Sequence, residues 1–367
     1  MQGTAEPVIV IASSEFTLKS SPVRRTLEQR LIDDLRFSLA SQGETGSRVE
    51  RDAARLIVHG VRETVASALT CSRVFGVAYA APALLVRANV EEVTSALMTL
   101  AMHGLGEGGS FAIRAHRSTP GALSRRSVEL SGGSEVLRAL KDRGVRVDLN
   151  HPDLTLYVDL VGEWAYVYNE KLEGPGGLPL SSQWKMLAVL DSGPLTILAA
   201  YAMMRRGCMV QLFIPTSNTL KSFGEDAQLA LAKTLGRLVA RPGYKAFTLN
   251  LDRLLGDRKS ITSLVHSRQL VRAAAIAFAK KKRFRGVVLA DIEGRLEATM
   301  PYCYSQVDIP IVQPLLGLEH EDIDQLSRLV GLKVESVPDD RLSIERPLQE
   351  EYSASSDLDV LVQEVSF

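Results

Sequence analysis

The sequence predicts an α+β first half and, beyond about residue 174, an α/β second half built on a doubly wound parallel sheet. Three observations carry this. In the first half, short apolar strands alternate with amphipathic helices and with strands joined by turns. The segment Gly174-Pro-Gly-Gly-Leu-Pro179 then breaks all regular structure. Past it, continuously apolar strands alternate with helices, the pattern of a sheet covered on both faces.

Val8-Ile-Val-Ile-Ala12 is β-branched and apolar, an opening strand. After Pro22, the residues Val23, Leu27, Leu31 and Leu35 recur at helical spacing. Ser41–Ser47 is polar loop, Ala54–His59 a second strand, and a helix follows toward Leu69. Next come strand Ala83–Arg87, helix Val90–Met102, strand Ser110–His116 and a helix from Ser127 to Arg143. Val145–Leu149, Leu154–Leu160 and Trp164–Tyr168 read as three strands joined by turns, the last packing its aromatic face on helices. In the second half the strands are Met186–Leu190, Met209–Ile214, Ala246–Leu251 and Gly286–Ala290. The helices between them are Leu195–Arg206, Asp226–Leu238 and Leu264–Lys281. The last twenty or so residues are polar and read as a loosely held tail.

The 43 basic and 43 acidic residues cancel, so no global field draws the chain to nucleic acid or membrane, and a polyanion must meet a local basic patch. Cys71, Cys208 and Cys303 lie far apart, which excludes a disulfide framework and a cysteine-rich zinc site and fits a reducing cytoplasm. No metal site is expected, and no apolar run reaches the ~18 residues that a membrane span needs.

Several segments resemble, in order and spacing, the tRNA thiouridine synthetases (tRNA sulfurtransferases, ThiI-type). Glu15-Phe-Thr-Leu-Lys19 with Val23-Arg24, and Val74-Phe-Gly-Val77, resemble the family's amino-terminal ferredoxin-like domain. Phe111–Arg117, Ser127-Val-Glu-Leu130 and Val147–Asp153 resemble its THUMP domain. Gly174–Pro179 matches its junction, Ala199–Gly207 the helix after its phosphate loop, and Pro310 through Gln313-Pro-Leu-Leu-Gly317 its P-V-x-R-P-L-I-G segment. The resemblance implies a ferredoxin-like domain over 1–76, a THUMP domain over 77–173, an ATP-pyrophosphatase-like (PP-loop) domain over 174–345, and the tail over 346–367. It also implies tRNA as partner, held by Lys19, Arg24, Arg114, His116, Arg117, Arg125 and Arg126. An active paralogue or a second copy of the chain is a further expected partner, and no membrane is.

In that family ATP, with magnesium, adenylates a tRNA uridine so that a cysteine persulfide delivers sulfur. The S-G-G-x-D-S loop cradles the phosphates with backbone amides at a helix N-terminus. Here the loop reads Asp191-Ser-Gly-Pro-Leu-Thr196: Gly193 is kept, Asp191 places a carboxylate where phosphate sits, and Pro194 lacks an N–H. Asp191, Ser192, Gly193 and Thr196, with Asp291 and Gly294 of the turn corresponding to T-G-E-S-L-G-Q, are the nucleotide-binding positions in degenerate form. The reading preferred for Asp191 or Ser192 is a plain helix cap, with Pro194 in the first turn. Both cysteines of C-x-x-C-K-R-x-M-Y-R are replaced, by Ser263 and His266, while Arg268 and Arg272 remain, so no catalytic residue is assigned. The expectation is a tRNA-binding pseudoenzyme with its ATP-dependent site impaired; the alternative is active uridine thiolation, or thiazole-related sulfur transfer in thiamine biosynthesis, through a divergent loop.

Overall fold

The computed structural model describes residues 5–13, 15, 19–53, 55–121, 123–239, 244–255, 264–292, 308–332 and 361–367. The chain forms two compact units, Met1–Gly177 and Leu178–Phe367. The division falls within Gly174–Pro179, where Gly176 and Gly177 both take left-handed backbone, at φ 65° and 69°.

The first unit holds strands β1 (Glu6–Ser13), β2 (Arg48–Asp52), β3 (Arg55–His59), β4 (Val77–Arg87), β5 (Ser110–Arg117), β6 (Arg146–Val147), β7 (Leu154–Val161), β8 (Trp164–Tyr168) and β9 (Leu172–Glu173). They join in one nine-stranded sheet in the order β2-β3-β1-β4-β8-β7-β5-β6, with β9 also on β4. Helices α1 (Ser21–Ser41), α2 (Thr64–Ser72), α3 (Val90–Gly104) and α4 (Arg125–Ala139) accompany it. Pro22 sits in the first turn of α1, where no N–H is needed, and Leu27, Leu31, Leu35 and Leu39 form its buried stripe. Asn89 caps α3 through the Glu92 amide, and Ser124 caps α4 through that of Ser127.

β4 is the spine of this sheet. Its residues Val77–Leu85 pair with β1, and Leu84–Arg87 pair with β8. The sheet curls strongly. Arg55 of β3 lies 3.4 Å from Asp159 of β7, although three strands intervene and a flat sheet would separate them by about 19 Å. The concave face buries Val8, Val10, Ile57, Ala83, Tyr166 and Tyr168; α3 and α4 cover the other face through Val93, Leu97, Val128 and Val136.

Two expectations are corrected, and one strand is added. The aromatic alternation of β8 packs against strands and not helices, because the curl makes the sheet its own partner, and Trp164 is left outside under the Arg87 guanidinium, 4.2 Å from its ring. Val145–Leu149 shortens to the two-residue β6, since the Asp148 carboxylate accepts the Asn150 and His151 amides and turns the chain. β2 (Arg48–Asp52) is a strand between the expected loop and the expected second strand, to which the sequence gives no element, because among its charged residues only Val49 is buried, as befits an edge.

The second unit holds β10 (Lys185–Val189), α5 (Pro194–Arg205), β11 (Met209–Thr216), α6 (Glu225–Leu238), β12 (Lys245–Asn250), α7 (Leu251–Leu255), α8 (Leu264–Lys281), β13 (Val287–Val288), β14 (Ile311–Val312), α9 (His320–Val330) and β15 (Val362–Ser366). The sheet order is β14-β13-β10-β11-β12-β15, parallel except for the last pair. β10 and β11 are almost wholly buried, and Phe213, Phe247, Phe278 and Phe284 pack in tilted and edge-to-face pairs, at centroid distances of 4.8–6.2 Å, to hold α8 on the sheet. A third correction is the tail: β15 pairs with β12, Leu361 and Val362 pack on the aromatic core, and the Phe367 amide bonds the Tyr244 carbonyl at 2.9 Å. Residues 346–360 lie outside the described residues.

Gly174 tests the packing of the junction. An added Cβ would lie 2.3 Å from the Val77 carbonyl oxygen and 2.6 Å from that of Ser72. Gly174→Ala is expected to lower stability by about 1–3 kcal/mol, read as a lower urea midpoint.

Candidate functional site

In the second unit the chain runs from β10 to β11 and β12 on one side, and β13 and β14 lie on the other. The strand order therefore reverses at β10, and the carboxyl ends of β10 and β13 frame the crevice where open α/β sheets bind ligands. Leu190–Gly193 links β10 to α5 across this crevice. The loop is anchored by buried Thr196, whose hydroxyl donates to the Val189 carbonyl at 3.1 Å. Gly193 is the N-cap at φ 55°, ψ −131°, with Pro194 in the first turn and no side-chain cap. The expected capping by Asp191 or Ser192 is thus corrected, for a physical reason: the Asp191 carboxylate is taken by a stronger partner.

That partner is Arg272 of α8. Its Nε donates to Asp191 Oδ2 at 2.5 Å, while its two terminal nitrogens donate to the carboxylate of Asp291, just past β13, at 3.1 and 2.7 Å. Arg272 and Asp191 have side chains only 7% and 0% exposed. Gln313 donates to Asp291 at 2.7 Å, Ser192 to Asp191 at 3.0 Å, and Arg268 to the Asp191 carbonyl at 3.1 Å. A planar guanidinium with both flanks engaged is the geometry that carboxylates bind best. The structure brings Asp191, Ser192, Thr196 and Asp291 together at this crevice. Ser263 and Gly294 lie outside the described residues, as does the side chain of His266.

In the first unit, Arg114 and His116 lie on the face of β5 away from α3 and α4, in register with Tyr157 and Asp159 of β7. The Arg114 guanidinium donates to the Leu149 carbonyl. Arg117 is exposed at the end of β5, and Arg125 and Arg126 are exposed in the first turn of α4. Cations are disfavoured there by the helix dipole, so fold stability does not explain them. Lys19 is exposed, and Arg24 pairs with Glu28 at 2.8 Å. The Asp159 carboxylate collects Arg55, the Tyr168 hydroxyl at 3.2 Å and the His116 Nδ1 at 3.9 Å. Ser118 Oγ lies 3.4 Å from that same His116 nitrogen, so the three side chains do not form a relay through the ring. Lys171 stands over the Tyr157 ring at 3.7 Å and the Tyr79 ring at 5.0 Å. Burial holds its ammonium below the usual lysine range, with Asp159 opposing the shift and Arg55 adding to it.

The THUMP domain model matches residues 87–170, and the thiamine biosynthesis protein (ThiI) model matches residues 181–341. The probable tRNA sulfurtransferase of Methanosarcina acetivorans is 31% identical over 373 aligned positions, covering 96% of this chain and 88% of that protein. The chain belongs to the tRNA sulfurtransferase family. The probable tRNA sulfurtransferase of Thermococcus kodakarensis is 27% identical, covering 91% of each chain. Among solved structures, a 4-thiouridine synthetase–RNA complex with bound ATP superposes with a TM-score of 0.75 at 18% identity, covering 98% of this chain and 99% of that one. The protein PH1313 of Pyrococcus horikoshii Ot3 gives 0.69 at 21%, covering 89% and 100%. These likenesses fix the fold: amino-terminal α+β and THUMP parts ahead of a PP-loop-like α/β unit.

For a tRNA sulfurtransferase the state of the thiols matters. Burial pushes the Cys71 thiol up to about 12, and burial raises that of Cys208, against a lowering hydrogen bond with the Trp184 backbone. Neither offers the exposed thiolate that a sulfur carrier needs, and Cys303 lies outside the described residues. Among the described residues no cluster of His, Cys, Asp or Glu has metal-binding geometry, and no helix is long and apolar enough to cross a membrane. The sequence marks Arg268 and Arg272 as kept positions of the C-x-x-C-K-R-x-M-Y-R stretch but gives neither a partner, and the structure supplies both with contacts at Asp191.

Two outcomes are expected. Arg272→Met leaves Asp191 buried without its counter-charge and costs about 3–5 kcal/mol in urea unfolding, and adding Asp191→Leu recovers most of that loss. Iodoacetamide at mildly alkaline pH leaves Cys71 and Cys208 unmodified in the native protein and alkylates both in denaturant, read by peptide mass spectrometry.

Proposed function

We propose that this chain is a tRNA-holding member of its family whose ATP-pyrophosphatase-like unit no longer adenylates RNA. In this reading residues 1–76 and 77–173 are the ferredoxin-like and THUMP parts that grip tRNA through Lys19, Arg24, Arg114, His116, Arg117, Arg125 and Arg126. Residues 174–345 keep the scaffold, and the protein works in the cytoplasm, where it presents tRNA to an active paralogue or to a second copy. The observation that carries the reading is the Asp191–Arg272–Asp291 bridge. A triphosphate needs unopposed donors at the N-terminus of α5. Here the buried guanidinium is spent on two carboxylates, the Asp191 carboxylate repels phosphate, and Pro194 has no N–H to give. ATP and magnesium do not fit this set of side chains.

One feature favours the alternative, a divergent but active thiolation site. At Gly193, with left-handed backbone, nothing lies within 4 Å of where a Cβ would stand, so a ligand can reach the main chain there. ATP–pyrophosphate exchange stimulated by tRNA separates the two readings. The expected result is filter-bound tRNA with affinity falling steeply as salt rises, no exchange above background, and no heat of ATP binding by calorimetry. Exchange with wild-type protein would overturn the loss of chemistry, and absent tRNA affinity at low salt would overturn the holding role.

A further inference from the structure

The second unit carries a cationic surface at the end of its sheet opposite the crevice. α8 closes with Lys280 and Lys281, and the chain continues through Lys282, Arg283 and Arg285, all exposed. The Arg285 amide bonds the Lys185 carbonyl at 2.9 Å, which places the amino end of β10 against this turn. The Lys185 ammonium stands 4.5 Å from the Phe284 ring centroid. Trp184, 61% exposed, immediately precedes it.

Helix stability accounts for only part of this. One or two cations satisfy a helix C-terminus, and those beyond it repel one another. Of the group, Lys280 meets Asp308 at 3.2 Å, a rim contact whose carboxylate is 88% exposed. Among the described residues no carboxylate pairs with Lys282, Arg283 or Arg285.

The backbone supplies an independent observation. α8 ends in a Schellman turn, with the Phe284 amide on the Ala279 carbonyl and the Arg283 amide on that of Lys280, at 2.9 and 3.1 Å. Arg283 holds the left-handed position of that turn at φ 57°. α5 and α9 close with the same pair of bonds, and each puts glycine there, Gly207 at φ 85° and Gly331 at φ 72°. Only α8 keeps a long cationic side chain at a position that strains it.

We infer that the turn Lys282–Arg285, with Lys185 and Trp184 beside it, is a second RNA-contact surface, its cations set on backbone phosphates and its exposed indole on a base. Cations interleaved with an exposed aromatic ring are the composition that tracks single-stranded or looped RNA without reading sequence. The inference rests on the reading of the chain as an RNA holder and adds a grip on the second unit to that of the first.

The test is the salt dependence of unfractionated tRNA binding to the full chain. K282Q/R283Q/R285Q is expected to reduce the slope of log K against log salt by about 2–3 and to weaken binding at low salt by roughly tenfold or more. R114Q/R117Q, run in parallel, reads the first unit. If the edge variant keeps wild-type affinity and slope while R114Q/R117Q loses both, the inference is overturned, an acidic polypeptide becomes the better occupant, and the proposed function stands. If the wild type binds no tRNA, both fall. R283G supplies a readout that a structural arginine would not give: a raised Tm from relief of the left-handed strain, with weaker tRNA binding. A lowered Tm would show that Arg283 serves the fold and would overturn the strain argument.

Discussion

A buried guanidinium has to be matched, and the second unit is arranged around matching Arg272. The side chain leaves α8 and reaches the loops that follow β10 and β13, so one residue ties the helix layer to both walls of the switch-point crevice. With the desolvation of three charged groups at stake, partial satisfaction would be worse than none. Every donor direction used here has a carboxylate oxygen in it, and Gln313 and Ser192 add donors to those carboxylates. Among the described residues, the guanidinium and the two carboxylates of the crevice are therefore paired with one another. Binding an anion there means breaking part of that pairing, whereas a loop of free amides would lose nothing.

The first unit solves a related problem in its sheet. Asp159 is buried, and it draws Arg55 across the concave face to meet it. Tyr166 reaches Asp52 of β2 in the same way. These polar ties close the curl around an apolar lining of Val8, Val10 and Ala83. The curvature lets one sheet serve as two layers where no helix covers the concave side. It also aims Arg114 and His116 along the rim of that face, not into a helix interface.

What could be read in the sequence follows from how far apart the determinants lie. The α1 repeat of Leu27, Leu31 and Leu35 and the apolar runs of β10 and β11 are local, and the structure buries them, while Val23 at the head of that repeat stays exposed. The curl of the first sheet was not legible, because it depends on Arg55 and Asp159 meeting across residues 104 apart in sequence. Asp191 was legible as a misfit for phosphate, but its partner was not, since Arg272 comes 81 residues later on another element. β15 was hidden for the same reason: its few apolar residues gain a partner only once β12 offers an edge.

The two ends of the second sheet then differ in a way that composition alone could not show. At the carboxyl end, the buried Arg272 is shared between the buried Asp191 and the half-buried Asp291. At the amino end, cations accumulate past what the helix dipole can use, stay in solvent, and include an arginine held in left-handed backbone. A chain with zero formal net charge can still present a strong local field when its charges are sorted this way, because screening over a Debye length of about 8 Å keeps the two ends electrostatically separate. On the proposed reading this unit meets a polyanion at the edge where, among the described residues, no carboxylate pairs with Lys282, Arg283 or Arg285, and not at the crevice where Arg272 is already paired.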